Sequence, residues 1–328
     1  MRGGAHKRKR NAGCAILALL CVLAAVLGVC SLSGERRAEA PSEGNRSASG
    51  APRDSRPGRS ASEGYRVPPD LSVGSANAIL LRVANGEALF CKNSDARMYP
   101  ASLSKMMTAI VALEHLEDLD ERIVLQDKGD FYYIARASVA GYLPGEEVRA
   151  IDLLYGLLLP SGAECAIGLA ERVAGDESAF ADLMNDKARE LGMRGTHFVN
   201  ATGLHDDAHY STARDMAVLL RYAIENDTFL EIFTSARYAS PPTDMHADGI
   251  AYHSTLFAEI GDARFDGGAI LGGKTGYTEQ AGQCLASLAE KYGEKFILVT
   301  CGAPEGDETH KPRIDDAFAV YGAIEAAD

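Results

Sequence analysis

Three short strings set far apart in the chain contain the residues with the clearest potential for chemistry. Ser102 is followed three residues later by Lys105, Ser161 begins a Ser-Gly-Ala string, and Lys274 begins a Lys-Thr-Gly string. A serine hydroxyl is a weak nucleophile and needs a base within hydrogen-bond reach. Lysine can be that base when burial or a nearby cation lowers its pKa. The spacing therefore predicts acyl transfer to Ser102, with Lys105 as its base.

The Lys-Thr-Gly string predicts a binding edge for the substrate. Lys274 and Thr275 on the edge of a strand can hold a carboxylate, and Gly276 lets a substrate approach the backbone closely. The backbone N–H of Tyr277 then becomes an oxyanion donor beside that of Ser102.

Each string also has a purely structural interpretation. A helix cap followed by a surface lysine accounts for Ser102 and Lys105, and a turn before a helix accounts for the Ser161 string. A strand end with a glycine turn accounts for the Lys274 string. Only the occurrence of all three in one order favours an active site.

Periodicity predicts the elements that position these residues. Apolar positions at Met106, Ile110, Leu113 and Leu116 predict a helix that begins at Ser102, which places Ser102 and Lys105 on one helix face. The sequence further predicts hairpins over 78–91 and 283–301, a strand over 269–273, and helices over 151–159, 163–173, 177–191, 215–225 and 314–327. Strands at both ends with helices between them indicate one sheet built from the two ends and a helical lobe inserted in the middle.

The first 70 residues differ from the rest of the chain. A basic cluster, Lys7 to Arg10, precedes an apolar stretch at 15–32 with no charge from 11 to 34. We expect residues 1–34 to be a cytoplasmic basic tail and an N-terminal membrane anchor; a cleaved signal peptide, secreting the domain, is the alternative. Residues 35–70 are rich in Ser, Arg, Gly and Pro and predict a flexible linker. Residues 71–328 then form an extracytoplasmic catalytic domain.

The charge balance excludes one class of partner. The 328 residues carry a net charge of −13, although residues 1–66 hold 12 Lys and Arg against 5 Asp and Glu. The remaining domain is therefore strongly acidic, and nucleic acid, which needs a basic surface, is not an expected partner.

Cysteines and histidines add weaker signals. Cys284 and Cys301 face each other in the second predicted hairpin, and free thiols are favoured over a disulfide because directly opposed strand neighbours form strained bridges. His205 and His209 lie near two aspartates, but no framework supplies a third ligand, so a solvated loop is favoured over zinc. For His253 a structural role is favoured over a place in the cleft.

The segments around the strings resemble the low-molecular-mass penicillin-binding proteins, the serine D-alanyl-D-alanine carboxypeptidases. The similar segments are Pro-Ala-Ser-Leu-Ser-Lys-Met-Met-Thr at 100–108, Leu-Leu-Leu-Pro-Ser-Gly at 157–162, several pieces within 191–212, and Gly-Lys-Thr-Gly-Tyr-Thr at 273–278. The resemblance implies an α+β, penicillin-binding transpeptidase/β-lactamase-like fold with an antiparallel sheet flanked by helices and an inserted helical lobe.

The resemblance also implies an activity and roles for residues. Ser102 would attack the penultimate D-alanine of a peptidoglycan stem peptide, Ser161 would pass a proton to the leaving D-alanine, and Lys274 and Thr275 would bind the terminal carboxylate. β-Lactams would acylate Ser102, and no cofactor is implied. A D,D-endopeptidase, a β-lactamase and a non-catalytic β-lactam or wall-binding sensor remain alternatives.

One position departs from the family pattern. The second motif usually ends in Asn, whose amide orients the lysine and the substrate, whereas this chain has Ala163. Glu164 or a water is the candidate substitute for that amide.

Overall fold

The computed structural model describes residues 64–126, 137–307 and 310–327. Its strands are β1 (Tyr65–Arg66), β2 (Asn77–Arg82), β3 (Ala88–Lys92), β4 (Arg122–Val124), β5 (Glu147–Arg149), β6 (Arg237–Ala239), β7 (Ala251–His253), β8 (Arg264–Phe265), β9 (Gly268–Thr278), β10 (Gly282–Lys291), β11 (Glu294–Ala303) and β12 (Glu325–Ala326). Its helices are α1 (Lys105–His115), α2 (Ala150–Leu158), α3 (Ala163–Ala174), α4 (Glu177–Glu190), α5 (Ala213–Ala223), α6 (Asp227–Thr234), α7 (Thr255–Ile260) and α8 (Pro312–Gly322).

The central sheet joins the two ends of the folded chain. Its six strands pair in the order β3-β2-β11-β10-β9-β8, and every pair is antiparallel. The helices α1 to α7 lie in sequence between the strands β3 and β8. The predicted α+β fold, with an antiparallel sheet flanked by helices and an inserted helical lobe, is confirmed. The described residues also form three two-stranded ladders that were not predicted, β1–β12, β4–β5 and β6–β7.

Alternation along β2 explains why both faces of the sheet are covered. Every residue of β2 is buried. Successive side chains of a strand point to opposite faces. Accordingly Ile79 and Leu81 pack with the helical lobe, whereas Leu80 packs with Tyr321 of α8. The sheet is thus held between two cores, which makes β9 a rigid support for the third string.

The second hairpin folds as predicted at its turn and bulges at its far end. Lys291 pairs with Glu294 around Tyr292 and Gly293, both in the left-handed region, which a two-residue hairpin turn requires. A register shift between Gln283 and Leu285 places Cys284 in a bulge. Cys284 and Cys301 are buried free thiols.

The structure differs from the prediction at several element boundaries, including the first helix, which begins at Lys105 after a 3₁₀ turn and not at Ser102, and in two helices. The last helix ends at Gly322 and not at 327, because the chain turns to pair Glu325–Ala326 with Tyr65–Arg66. The strand predicted over 269–273 runs on to Thr278, so the Lys-Thr-Gly string lies inside β9. Two short helices, α6 and α7, were not predicted, although Asn226 and Ser254 cap their first turns.

The apolar stretch at 15–32 and most of the predicted linker lie outside the described residues. Strand β1 lies within the part of the chain assigned to the linker. Among the residues that the structure describes, no helix has the length and apolar character needed to cross a bilayer.

Candidate active site

A strained turn presents Ser102. Residues Ala101–Ser104 form a 3₁₀ turn that leads directly into α1, and Ala101 has a φ of 48°, in the left-handed region. Strain of this kind persists only where the surroundings hold it. Gly203 lies against the turn so closely that a Cβ there would stand 2.0 Å from the Ala101 carbonyl oxygen. The segment around Gly203 thus fixes the turn that carries the serine.

Lys105 meets the geometric requirement for a base. Its Nζ lies 3.1 Å from Ser102 Oγ and donates a second hydrogen bond of 2.7 Å to the Thr202 carbonyl oxygen. The side chain is buried, and this burial lowers the pKa of Lys105 to about 8, against the opposing effect of Glu164. A neutral amine is therefore accessible near physiological pH.

Lys274 lies behind Ser161. Its Nζ donates to Ser161 Oγ at 2.8 Å and to the Thr275 carbonyl oxygen at 2.9 Å, and the lysine is fully buried. Burial first, and then the charges of Lys105 and Arg313, hold the pKa of Lys274 well below its usual value. Ser161 itself has a φ of 70°, so a second strained residue carries a side chain of the site.

Strand β9 forms the wall opposite Lys105. A Cβ at Gly276 would stand 3.1 Å from the Ser102 backbone nitrogen, so a side chain there would fill the space in front of that amide. Thr275 shares a hydrogen bond of 2.6 Å with Thr255, the first residue of α7. The Tyr277 side chain is exposed at the mouth of the cleft, where its hydroxyl donates to Glu305.

These residues line one cleft of about 920 Å³. Of the seven residues predicted from the sequence, six line it: Ser102, Lys105, Ser161, Thr275, Gly276 and Tyr277. Lys274 reaches it only through its contacts with Ser161 and Thr275.

Two charged residues in the cleft wall, Arg313 and Glu259, were not predicted from the sequence. Arg313 in the first turn of α8 forms a two-pronged ion pair with Glu259 of α7, with one N–O distance of 3.1 Å, and its Nη1 lies 3.4 Å from the Gly276 carbonyl oxygen. No motif surrounds Arg313 in the sequence. Its place beside β9 follows from how α8 packs on the sheet.

Position 163, where the family pattern has an Asn side chain, is apolar in this chain. Ala163 is fully buried and clusters with Ile167, Ala137 and Leu204. The Glu164 side chain turns toward backbone N–H groups at 140–142 and does not line the cleft. It therefore does not occupy the place that an Asn side chain at 163 would take.

His205, His209 and His253 lie in different surroundings, and the solvated loop expected for His205 and His209 is wrong for His209. His209 is buried and bonds to Ser104 Oγ at 2.7 Å, and His253 is exposed on β7. His205 lines the cleft and pairs with Asp207. The described ranges hold no group of three side chains that could ligate a metal ion.

Comparison with known proteins identifies the family. A family model described as D-alanyl-D-alanine carboxypeptidase, peptidase family S11, matches residues 64–305. The chain is 32% identical over 260 residues to D-alanyl-D-alanine carboxypeptidase DacF of Bacillus subtilis, covering 77% of this chain and 64% of the relative. It is 31% identical over 234 residues to the D-alanyl-D-alanine carboxypeptidase of Streptomyces sp. strain K15, covering 69% of this chain and 80% of the relative.

Solved structures agree with this assignment. The crystal structure of the Streptomyces K15 DD-transpeptidase superposes with a TM-score of 0.67 at 27% identity, covering 77% of this chain and 97% of the other. The fold is that of the penicillin-binding D,D-peptidases. The chain belongs to the S11 family of D-alanyl-D-alanine carboxypeptidases.

Proposed function

We propose that this chain removes the terminal D-alanine from peptidoglycan stem peptides through an acyl-enzyme on Ser102. One observation carries the proposal above the others: a buried lysine amine lies 3.1 Å from a serine hydroxyl in an open cleft. A cap and a surface lysine would leave Lys105 in solvent, whereas its exposed fraction is 1%.

Acylation needs a proton acceptor and a place for negative charge. Neutral Lys105 takes the proton of Ser102 as its oxygen attacks the carbonyl carbon of the penultimate D-alanine. The backbone N–H groups of Ser102 and Tyr277 stabilise the oxyanion, for which the missing side chain at Gly276 leaves room. The C–N bond then breaks, and the leaving amine must receive a proton.

Ser161 completes this proton path. Its hydroxyl lines the cleft and is bonded to Lys274, so it can pass its proton to the leaving amine. The proton that Lys105 took from Ser102 then replaces the one lost by Ser161, so acylation neither gains nor loses a proton. Water then attacks the ester and releases the shortened peptide, with the same groups acting in reverse. No step needs a cofactor.

The terminal carboxylate of the substrate is expected to bind beside Thr275. The Thr275 hydroxyl faces the cleft, Lys274 lies directly behind it, and Arg313 adds a guanidinium at the same wall. A planar guanidinium matches a carboxylate well. Arg313 therefore joins Lys274, Thr275 and Gly276 as a proposed binding residue.

Replacing Arg313 by alanine is expected to raise KM for a peptide with a free carboxylate by about tenfold or more, with a smaller change in kcat. The physical reason is the loss of a charge-assisted hydrogen bond to the substrate. Steady-state kinetics with that peptide, and with its C-terminal amide as a substrate lacking the charge, measure the effect. Arg264→Ala removes an exposed arginine paired to Asp262 and is the matched control. An equal loss for the amide would assign Arg313 a purely structural role.

The function is tested by incubating the chain with diacetyl-Lys-D-Ala-D-Ala and measuring free D-alanine. Release, with a covalent penicillin adduct on the protein, is the expected result. Formation of the adduct without release of D-alanine would indicate a non-catalytic β-lactam sensor. Rapid turnover of penicillin would indicate a β-lactamase. Cleavage of crosslinked muropeptides alone would indicate an endopeptidase.

The location of the enzyme follows from its substrate and its sequence. We place the catalytic domain outside the cytoplasm and propose that the apolar stretch at 15–32 tethers it to the membrane. Detergent-dependent extraction of the full chain from membranes, compared with a chain lacking residues 1–34, distinguishes a tether from a cleaved signal.

A further inference from the structure

Glu164 holds a piece of backbone beside the cleft. Its side chain is 2% exposed, and Oε1 accepts hydrogen bonds from the N–H groups of Ala140 at 2.6 Å, Gly141 at 2.7 Å and Tyr142 at 3.3 Å. The N–H of Ala163 donates to the Ser138 carbonyl oxygen at 2.9 Å. We call residues 138–142 the strap, because Ala163 and Glu164 fasten it where Ser138 lines the cleft.

The second carboxylate oxygen of Glu164, Oε2, does not bind the strap. Among the described residues, Oε2 is buried and has no hydrogen-bond partner. A buried, unsatisfied carboxylate oxygen is costly. A glutamine in its place would still offer the strap an acceptor, so the hydrogen bonds alone do not explain why a carboxylate stands here.

Glu164 and Lys105 lie on two helices that pack against each other. Helix α1, which begins with Lys105, packs against α3, which carries Glu164 in its first turn. Charges interact strongly when both are removed from water. Glu164 is the main charge that raises the pKa of Lys105 against the larger lowering effect of burial.

Other titratable groups surround the pair. Glu177 on α4 and Cys165 on α3 act on Lys105 in the same direction as Glu164 but more weakly. Lys274 on β9 and His209 in the 202–212 segment feel the charge of Lys105 from the other sides. Burial raises the pKa of Glu164 itself, although its backbone hydrogen bonds oppose this.

We propose that Glu164 is a positioning residue that fastens the strap beside Ser161 and places a buried carboxylate on the helix that packs against the Lys105 helix. It thereby performs part of the orienting task for which Ala163 has no polar group. The inference rests on the proposed acyl transfer at Ser102, since it concerns the base of that reaction.

The central test is the pH dependence of acylation by a fluorescent penicillin in Glu164→Gln. Glutamine keeps an oxygen for the strap but removes the negative charge, so Lys105 loses its proton more readily. The acid limb of the second-order rate constant is expected to move to lower pH by about 0.5 to 1 pH unit. The rate at the high-pH plateau is expected to stay within about threefold of the wild type.

Glu146→Gln is the matched control. Glu146 is also fully buried and accepts a hydrogen bond of 2.8 Å from Leu143, the residue after the strap, but it is not among the charges that shift Lys105. Its acid limb is expected to coincide with that of the wild type. Equal limbs for Glu164→Gln and the wild type would overturn the electrostatic part of the proposal.

Glu164→Asp tests separately whether the hydrogen bonds to the strap affect the rate of acylation. It also keeps the proposal testable if the glutamine variant does not fold. Aspartate keeps the charge but has a shorter reach, so the acid limb stays in place while the plateau falls at least threefold. An unchanged plateau would overturn the positioning part. A wild-type chain that penicillin does not acylate at any pH would instead overturn the proposed function, and this inference with it.

Discussion

Replacing Ser102 by alanine is expected to abolish both D-alanine release and covalent labelling by penicillin. The loss in rate should be at least about 10⁴-fold, because the only nucleophile of the proposed mechanism is removed. Single-turnover labelling and D-alanine release, measured on the same preparation, give both quantities. Reversible binding of the peptide should survive, since Thr275 and Arg313 keep their places in the cleft wall.

Ser138→Ala is the appropriate control for this experiment. Ser138 also lines the cleft, but its side chain is exposed. Its hydrogen bond with the Ala163 N–H is made by its backbone carbonyl oxygen, which the substitution keeps. Labelling of the control at close to the wild-type rate, with none of Ser102→Ala, is the predicted pattern. A penicillin adduct on Ser102→Ala would place the nucleophile elsewhere and contradict the proposed mechanism.

Two buried lysines in one site explain how this nucleophile can be activated. Each amine has lost most of its hydration, which disfavours the charged form of both. The charge of Lys105 further disfavours a second charge on Lys274, and Arg313 acts in the same direction. A cleft with this arrangement can take up and return one proton, as acyl transfer in two steps requires.

Two of the three candidate strings could be interpreted from the sequence because their residues are close neighbours in local structure. Ser102 and Lys105 are neighbours on successive turns, and Lys274 to Tyr277 follow one strand. Local rules for helices and strands therefore predict their relative positions. The family resemblance supplied the order in which these pieces assemble.

The remaining features of the site depend on tertiary packing. Arg313 and Glu259 come from two helices, α8 and α7, that are far apart in the chain and are joined by this ion pair, and neither residue has a neighbouring motif. The same applies to the end of α8, where pairing with β1 overrides an apolar pattern that continues past Gly322. Such contacts are set by the closure of the whole sheet and leave no periodic signal in the chain.

Acid is expected to destabilise the folded chain through His209, by about 3 kcal/mol between neutral pH and pH 4. The imidazole is buried, and this burial lowers the pKa of His209 to about 4 from 6.5. The Val199 N–H donates to Nδ1, so the proton lies on Nε2, which faces Ser104 Oγ. A second proton on Nδ1 would break the bond to Val199.

The sign follows from proton binding in the two states. Between pH 6.5 and 4 the unfolded chain binds a proton at this histidine while the folded chain does not, so the free energy of unfolding falls as the pH falls. Below about pH 4 both states are protonated and this loss levels off. Denaturant unfolding at a series of pH values measures the slope.

His209→Gln removes the titrating group. The variant is expected to lower the free energy of unfolding at neutral pH, but to lose the fall of about 3 kcal/mol between neutral pH and pH 4. His253→Gln, at an exposed histidine, should keep the wild-type slope, because solvent reaches that ring in both states. Since Ser104 directly precedes Lys105, loosening of the His209 contact also reaches the turn of the nucleophile. Parallel slopes for His209→Gln and the wild type would show that this histidine is not the source of acid sensitivity.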